Sequence, residues 1–302
     1  MSPSALGHLA MLAFSALVAG SFSLGAMVAN DISPLAFTTL RFCIGAAIVG
    51  TLAWSRGAIT RQGFAAPLRY AILGGLFAIY FVLMFEGLKT ARPVSAAAVF
   101  TLVPLMAAGF AWLLLRQVLT PRMTLALGIG GWGAMWVIFR ADFAALLAFD
   151  VGRGEAIFFV GCVSHAIYTP MVRRLNRGET VVMFTFGTLL AGSGLLLVYG
   201  WSDLMAVDWA KLPALVWITL FYTSVFATAL TVLLLQFAAL RLPSAKVMAY
   251  TYLTPSWVIV WEIMLGNGAP GPFVVIGVAL TMLALFLLLR DDASKVDTSK
   301  MA

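Results

Sequence analysis

Ten apolar runs of roughly 19 to 24 residues follow one another along the chain, with only short breaks between them. They cover about 6–28, 34–55, 67–88, 93–115, 121–139, 154–174, 181–200, 213–236, 242–265 and 272–290. A helix rises about 1.5 Å per residue, so about 20 apolar residues span a hydrocarbon core of about 30 Å. The runs lack polar alternation and are too long for membrane strands, which excludes a β-barrel. Charged residues are 10% of the chain and hydrophobic ones 62%, against about 25% charged in a soluble domain. The expectation is an all-α membrane protein of ten transmembrane helices with little room for a soluble domain.

Lysine and arginine set the expected orientation. With the N-terminus inside, thirteen of them, from Arg56 to Lys300, fall in inside segments. Only Lys89, Arg92, Arg140, Arg153 and Lys211 fall outside, and Arg41 lies within a run. Both termini are therefore expected in the cytoplasm, with the chain in the inner (plasma) membrane and lipid around it. The net charge of +7 reflects basic loops, and no nucleic-acid partner is expected. The N-terminus has no basic region ahead of its first run, so that run is expected to be retained. Cys43 and Cys162 sit in apolar runs, so neither a disulfide framework nor a thiol metal cluster is expected.

The chain carries an internal echo. Sliding Arg92–Leu105 by 151 residues onto Pro243–Ser256 places Pro104 on Pro255, Leu102 on Leu253 and Ala98 on Ala249. A proline inside an apolar run removes a backbone hydrogen bond and bends the helix, so Pro104 and Pro255 are candidate bend or gating points. Five runs per half is an odd number, so the second half must be inverted relative to the first. Inverted repeats meeting at a midplane site are a transporter architecture. The expected layout is a first repeat over 1–145, a second over 146–290 and a disordered cytoplasmic tail over 291–302.

Polar groups inside the runs mark candidate functional residues, because each needs a partner or a wet cavity. Arg41, Glu86 and Glu262 all lie toward the outer side. They form a structural charge group if Arg41 pairs with a carboxylate; otherwise the acids reach the interface and Arg41 snorkels. His165, midway along the sixth run, with Tyr168 one turn on, suits a proton relay, a ligand contact or a structural hydrogen bond. Lys246 and Tyr250 share a stripe with Trp257 and Trp261, opposite Ser244, Thr251, Pro255 and Glu262. Lys246 is either a cavity cation or a snorkelling one. The candidate substrate-binding set is Tyr80, Phe100, His165, Tyr168, Lys246 and Tyr250. In the fifth run Gly128, Gly130, Gly131 and Gly133 offer a small-residue contact surface. The almost wholly aliphatic tenth run reads as peripheral. No phosphate loop, metal-ligand set or nucleophile elbow is present, so no cofactor, ATP site or enzyme activity is expected.

Together these features resemble the drug/metabolite transporter superfamily, its EamA-type members in particular. The resemblance rests on Ser33-Pro34-Leu35-Ala36-Phe37 with Leu40-Arg41-Phe42, the two proline-centred stretches, and Ala16–Val28. Within it the chain is similar to bacterial aromatic amino-acid exporters of the YddG type. The resemblance implies two inverted five-helix repeats around a central cavity lined by spans one to four and six to nine, and export of small organic solutes. It departs at Ala19, where a tryptophan is common. It also departs at Arg116-Gln117 and Gly266-Asn267, where family members often close a span with Gly-Glu, so any role of those carboxylates does not carry over. The expectation is a secondary exporter of small metabolites, most simply amino acids with aromatic preference, working as a monomer or homodimer. Other metabolites or drugs as cargo, a membrane-embedded enzyme, and a non-transporting scaffold or sensor are the alternatives.

Overall fold

The computed structural model describes residues 3–148 and 151–298. Its helices are α1 (Pro3–Val28), α2 (Pro34–Ser55), α3 (Leu68–Leu88), α4 (Pro93–Phe100), α5 (Val103–Leu115), α6 (Pro121–Ile138) and α7 (Phe143–Ala148). They continue as α8 (Arg153–Leu175), α9 (Val181–Ala206), α10 (Ala214–Ser224), α11 (Thr231–Ala239), α12 (Ser244–Ala249), α13 (Thr254–Met264) and α14 (Pro272–Thr298). No strand occurs among the described residues. Proline opens α2, α4, α6 and α14, where its fixed φ suits a helix start and its missing N–H costs nothing. Thr120 and Thr180 cap α6 and α9 by accepting from Met123 N and Met183 N.

Among the described residues, eight helical stretches are long and apolar enough to cross a membrane, counting α4–α5 and α10–α11 as one each. Two of the ten expected spans differ. Arg122 and four glycines dilute the apolar character of α6. The ninth span is broken into α12, a 3₁₀ segment Tyr250–Leu253 and α13. The fourth span breaks at the equivalent place, between Phe100 and Val103. Pro104 and Pro255 each stand second in the helix that follows the break, so the expected bends are interruptions just ahead of each proline. The Tyr252 carbonyl freed at the second break accepts from Thr281 Oγ1 at 3.1 Å, as a buried backbone group requires. A further irregularity, the π-helical segment Val225–Leu230, joins α10 to α11.

Packing repeats across the halves. α3 lies on α8, while its counterpart α10–α11 lies on α1. The α4–α5 stretch lies on α8, while α12–α13 lies on α1. α4 meets α13 and α5 meets α12, so the two broken stretches cross antiparallel. α2 and α9 are antiparallel too: Ser33 Oγ donates to Asp203 Oδ1 at 2.6 Å at one end, and Gly50 faces Phe186 near the other. α6 and α14 pair through Gly133 against Gly277, and Trp136 Nε1 donates to the Phe273 carbonyl at 3.0 Å. Of the four glycines in α6, Gly130 and Gly133 make close contacts, with Tyr252 and α14; Gly128 has open space beside it. Within 272–289 only 33% of α14 is buried, against 50% or more in the other spans, so its outer face is free for lipid. α14 runs over Pro272–Thr298, with no Gly or Pro after Arg290. Residues 299–302, Lys300 among them, lie outside the described residues.

Gly74 of α3 packs directly on the backbone of α9. A Cβ there would stand 2.5 Å from Gly192 N and 2.7 Å from the Thr188 carbonyl oxygen, backbone atoms that cannot step aside. Gly74→Ala is expected to lower the thermal midpoint of the detergent-solubilised protein by several degrees, as overpacking of about 1–3 kcal/mol implies. Gly109→Ala, with nothing within 4 Å, is the matched control and should leave the midpoint unchanged.

Candidate functional site

The middle of the bundle is filled by aromatic rings from four elements. α3 places Phe77, Tyr80 and Phe81 on one face by i, i+3 and i+4 spacing. α8 adds Phe158, His165 and Tyr168, α1 adds Phe22, and Phe100 ends α4 at its break. His165 is the hub. Its ring centroid lies 4.4 Å from Tyr80, 5.5 Å from Phe100, 5.6 Å from Phe77 and 6.0 Å from Tyr168. Tyr80 and His165 are each 1% exposed, and Phe100 and Tyr168 fully inaccessible. The open central cavity implied by the resemblance is therefore closed at this place, because stacked rings occupy the space.

Polar atoms are embedded in this apolar core. The Tyr168 hydroxyl accepts from Gln236 Nε2 at 2.9 Å, and Gln236 Oε1 accepts from Thr185. Both ring nitrogens of His165 and the hydroxyl of Tyr80 have no hydrogen-bond partner. A buried polar group without a partner costs about 1–3 kcal/mol, so such atoms mark where water or a solute belongs. The hydroxyls of Thr251 and Thr254 on the other broken stretch are also buried and unpartnered. Thr251 is the residue that the 151-residue offset places on Phe100.

Four of the six candidate substrate residues thus gather: Tyr80, Phe100, His165 and Tyr168. Lys246 and Tyr250 lie elsewhere. Tyr250 meets His8 Nδ1 through its hydroxyl at 3.1 Å. His8 is fourteen residues before Phe22 on α1, about 21 Å along the helix axis. Lys246 is buried beside a cavity of about 110 Å³ that Gln117 and Met123 also line. The opposite face of the ninth span, with Thr251 and Thr254, holds the unpartnered hydroxyls.

The outer charge group does not form. Arg41 is fully buried, yet it donates to Thr228 Oγ1 and to the Ala227 carbonyl of the π segment, not to a carboxylate. A π turn disrupts the usual i→i−4 pairing, and Arg41 occupies that irregular stretch. Glu86 pairs instead with Lys89 at 2.7 Å, partly exposed. Glu262 accepts from Asn267 Nδ2 at 3.0 Å and lines a cavity of about 360 Å³ with Arg92 and Arg140. Two further charge contacts escaped the sequence reading. Glu155, 4% exposed, accepts from Ser95 Oγ at 2.7 Å and so ties the start of α8 to α4. Arg69 pairs with Glu179 where α3, α8 and α9 meet, and it also donates to the Gly63 and Leu175 carbonyls. Burial pushes the Glu179 carboxyl up, but bonds from the Arg69 guanidinium and the Arg177 backbone N–H outweigh it and hold it below its ordinary value.

Pro255 lies within the first turn of α13, where a proline needs no N–H partner. Pro255→Ala is expected to keep expression and midpoint while slowing solute movement, because an alanine lets the 3₁₀ break relax toward continuous helix. Initial uptake rates in proteoliposomes check this; an unchanged rate would show that the proline is merely tolerated.

Long apolar helices, packed as two like halves around this core, define a multi-pass membrane protein. A sequence model of the EamA-like transporter family matches residues 5–139 and again 152–290, and the chain belongs to that family. It is a membrane transporter of small molecules. A relative in Bacillus subtilis (strain 168), described as "Uncharacterized transporter YyaM", is 26% identical over 282 residues, 92% of each chain. A solved crystal structure has a similar fold, with a TM-score of 0.71 at 20% identity, over 95% of this chain and 97% of its own.

Proposed function

We propose that this protein is a secondary, non-ATP exporter of small organic metabolites, with amino acids, aromatic ones above all, as cargo. It works by alternating access between two inverted five-helix repeats, ten spans in all. It sits in the inner membrane with both termini in the cytoplasm. The observation that carries this reading is the aromatic core at the junction of the halves, where His165 and Tyr80 present unpartnered polar atoms among stacked rings. Aromatic walls with a few placed polar groups suit a solute that has an apolar body and polar ends. The closed core then corresponds to a state between the two open ones. The antiparallel crossing of α4–α5 with α12–α13 supports inversion, and the lysine and arginine bias supports the orientation.

Uptake of a panel of amino acids and other metabolites into proteoliposomes, with and without a pH gradient, tests cargo and coupling. Movement of aromatic amino acids no faster than through protein-free vesicles would overturn the cargo assignment. Topology has its own check. Asp31→Cys and Gly268→Cys are expected to react with an impermeant thiol reagent added outside intact cells, whereas Arg61→Cys and Arg177→Cys are not. Labelling of Arg61→Cys from outside would reverse the orientation.

A further inference from the structure

Arg41 enters the bundle on α2, seven residues beyond Pro34, about 10 Å below the helix start. Tyr80 stands eight residues from the end of α3, and Phe100 seven from the start of α4, so all three lie at similar depth. The guanidinium rests on the Phe81 ring, with Cζ 3.6 Å from its centroid. Phe81 in turn contacts Tyr80 and Phe77, with centroids 4.7 Å away in each case. Phe81 is therefore a wall shared by the charge and the aromatic core.

The charge is incompletely met. Nε donates to Thr228 Oγ1, and Nη2 to the Ala227 carbonyl at 2.6 Å. Nη1 is buried and has no partner. Its two neutral acceptors and a ring face leave one whole N–H₂ edge unused. A buried cation lacking a counter-ion costs several kcal/mol. Unpartnered hydroxyls accompany it. Thr38 precedes Arg41 by one turn on α2, Ser224 precedes Thr228 by one turn, and Tyr80 adjoins Phe81; all three hydroxyls are buried and unbonded. A charge that needs a negative partner thus shares its neighbourhood with groups able to donate to one.

We propose that Arg41 Nη1, with these hydroxyls, is the anchoring point for a carboxylate on the transported solute, whose apolar body takes the place of the core's own ring contacts. This rests on the transporter reading above and adds the chemical class of the solute: it must carry a carboxylate. A guanidinium–carboxylate contact is a charge-assisted hydrogen bond, stronger than those Arg41 now makes. Dissociation remains feasible because the anchor is one edge of a guanidinium already held on its other side.

Three matched probes test it with purified full-length protein in proteoliposomes: phenylalanine, 3-phenylpropionate, which keeps only the carboxylate, and phenethylamine, which keeps only the amine. Arg41→Gln is expected to cut uptake of the two carboxylates at least about tenfold at subsaturating concentration, the scale of losing a bond to a charged group. Phenethylamine uptake should change less than about twofold. Arg41→Lys, which keeps the charge without the fork, should fall between. Should Arg41→Gln fail to fold, Thr38→Val carries the same test, with a smaller loss confined to the carboxylates. Equal loss of all three probes, or loss of none, overturns the anchor and leaves the transporter reading standing. So does wild-type protein that moves phenethylamine alone. Wild-type protein that moves none of the three overturns both the anchor and the aromatic cargo assignment.

Discussion

Glu179→Gln is expected to lower the thermal midpoint of the detergent-solubilised protein by roughly 6–12 °C, the largest stability loss among single charge removals here. The substitution leaves Arg69, 4% exposed, without its counter-charge; breaking such a pair costs about 3 kcal/mol, and each kcal/mol moves a midpoint by about 2–4 °C in a chain of this size. Arg69→Met with Glu179→Gln should be less damaging than the sum of the two single changes, since no unpaired charge then stays buried. The pH dependence has a definite sign. The folded-state carboxyl lies below its ordinary value, so its contribution is complete above about pH 4.3 and is lost as pH falls through the lower folded value. Wild-type and Glu179→Gln midpoints should therefore differ fully at neutral pH and converge in acid. Parallel curves down to the lowest pH would mean that the pair contributes nothing. Release of this clamp should also favour opening at the end where α1 begins, because it ties the 3₁₀ turn at Gln62–Phe64 of the first half to the α8–α9 link of the second.

Phe100→Ala is expected to have the largest effect on transport. Phe100 is fully inaccessible and touches Phe22, Tyr80, Phe158 and His165. Removing the ring empties the core where α4 ends, at a cost of about 3–5 kcal/mol. Transport of aromatic solutes should fall at least about tenfold, the scale of losing about 1.4 kcal/mol. Phe100→Leu separates folding from recognition: it restores most of the volume, so the midpoint should recover. The ranking of aromatic over aliphatic solutes in competition assays should still be lost. A Phe100→Leu protein with unchanged ranking would show that the ring is packing alone.

The four gathered residues were legible because helix geometry between breaks is regular. His165 and Tyr168 are one turn apart on an unbroken helix, so their shared face follows from spacing alone. Lys246 and Tyr250 stand apart from that group: their shared stripe follows from spacing, but the neighbours that receive it, Gln117 and Met123 for Lys246 and His8 of α1 for Tyr250, are long-range and leave no local signal. Arg41 was recognised as a buried charge, but its partners include a backbone carbonyl exposed by a π turn. Nothing in VFATAL distinguishes that turn from ordinary helix. Arg69 and Glu179 lie 110 residues apart, and each by itself reads as a loop-end charge. Proline-marked breaks were legible at both sites because the same local chemistry recurs at the same offset.

Duplicated halves need not remain equivalent. Moved along by 151 residues, Arg41 falls on Gly192, and the π segment falls back onto 74–79, where α3 is regular. The same seam of the molecule therefore exists in two editions. In one, Gly74 and Gly192 press backbone to backbone with no room for a methyl group. In the other, a long cation bridges to a helix wound with an extra residue. Two copies of either half alone could rebuild neither edition, because each joins a residue of one half to a residue of the other. The chain has thus become a heterodimer in a single polypeptide, with one flank stiff and the other deformable, and its two faces are not mirror partners in whatever motion it makes.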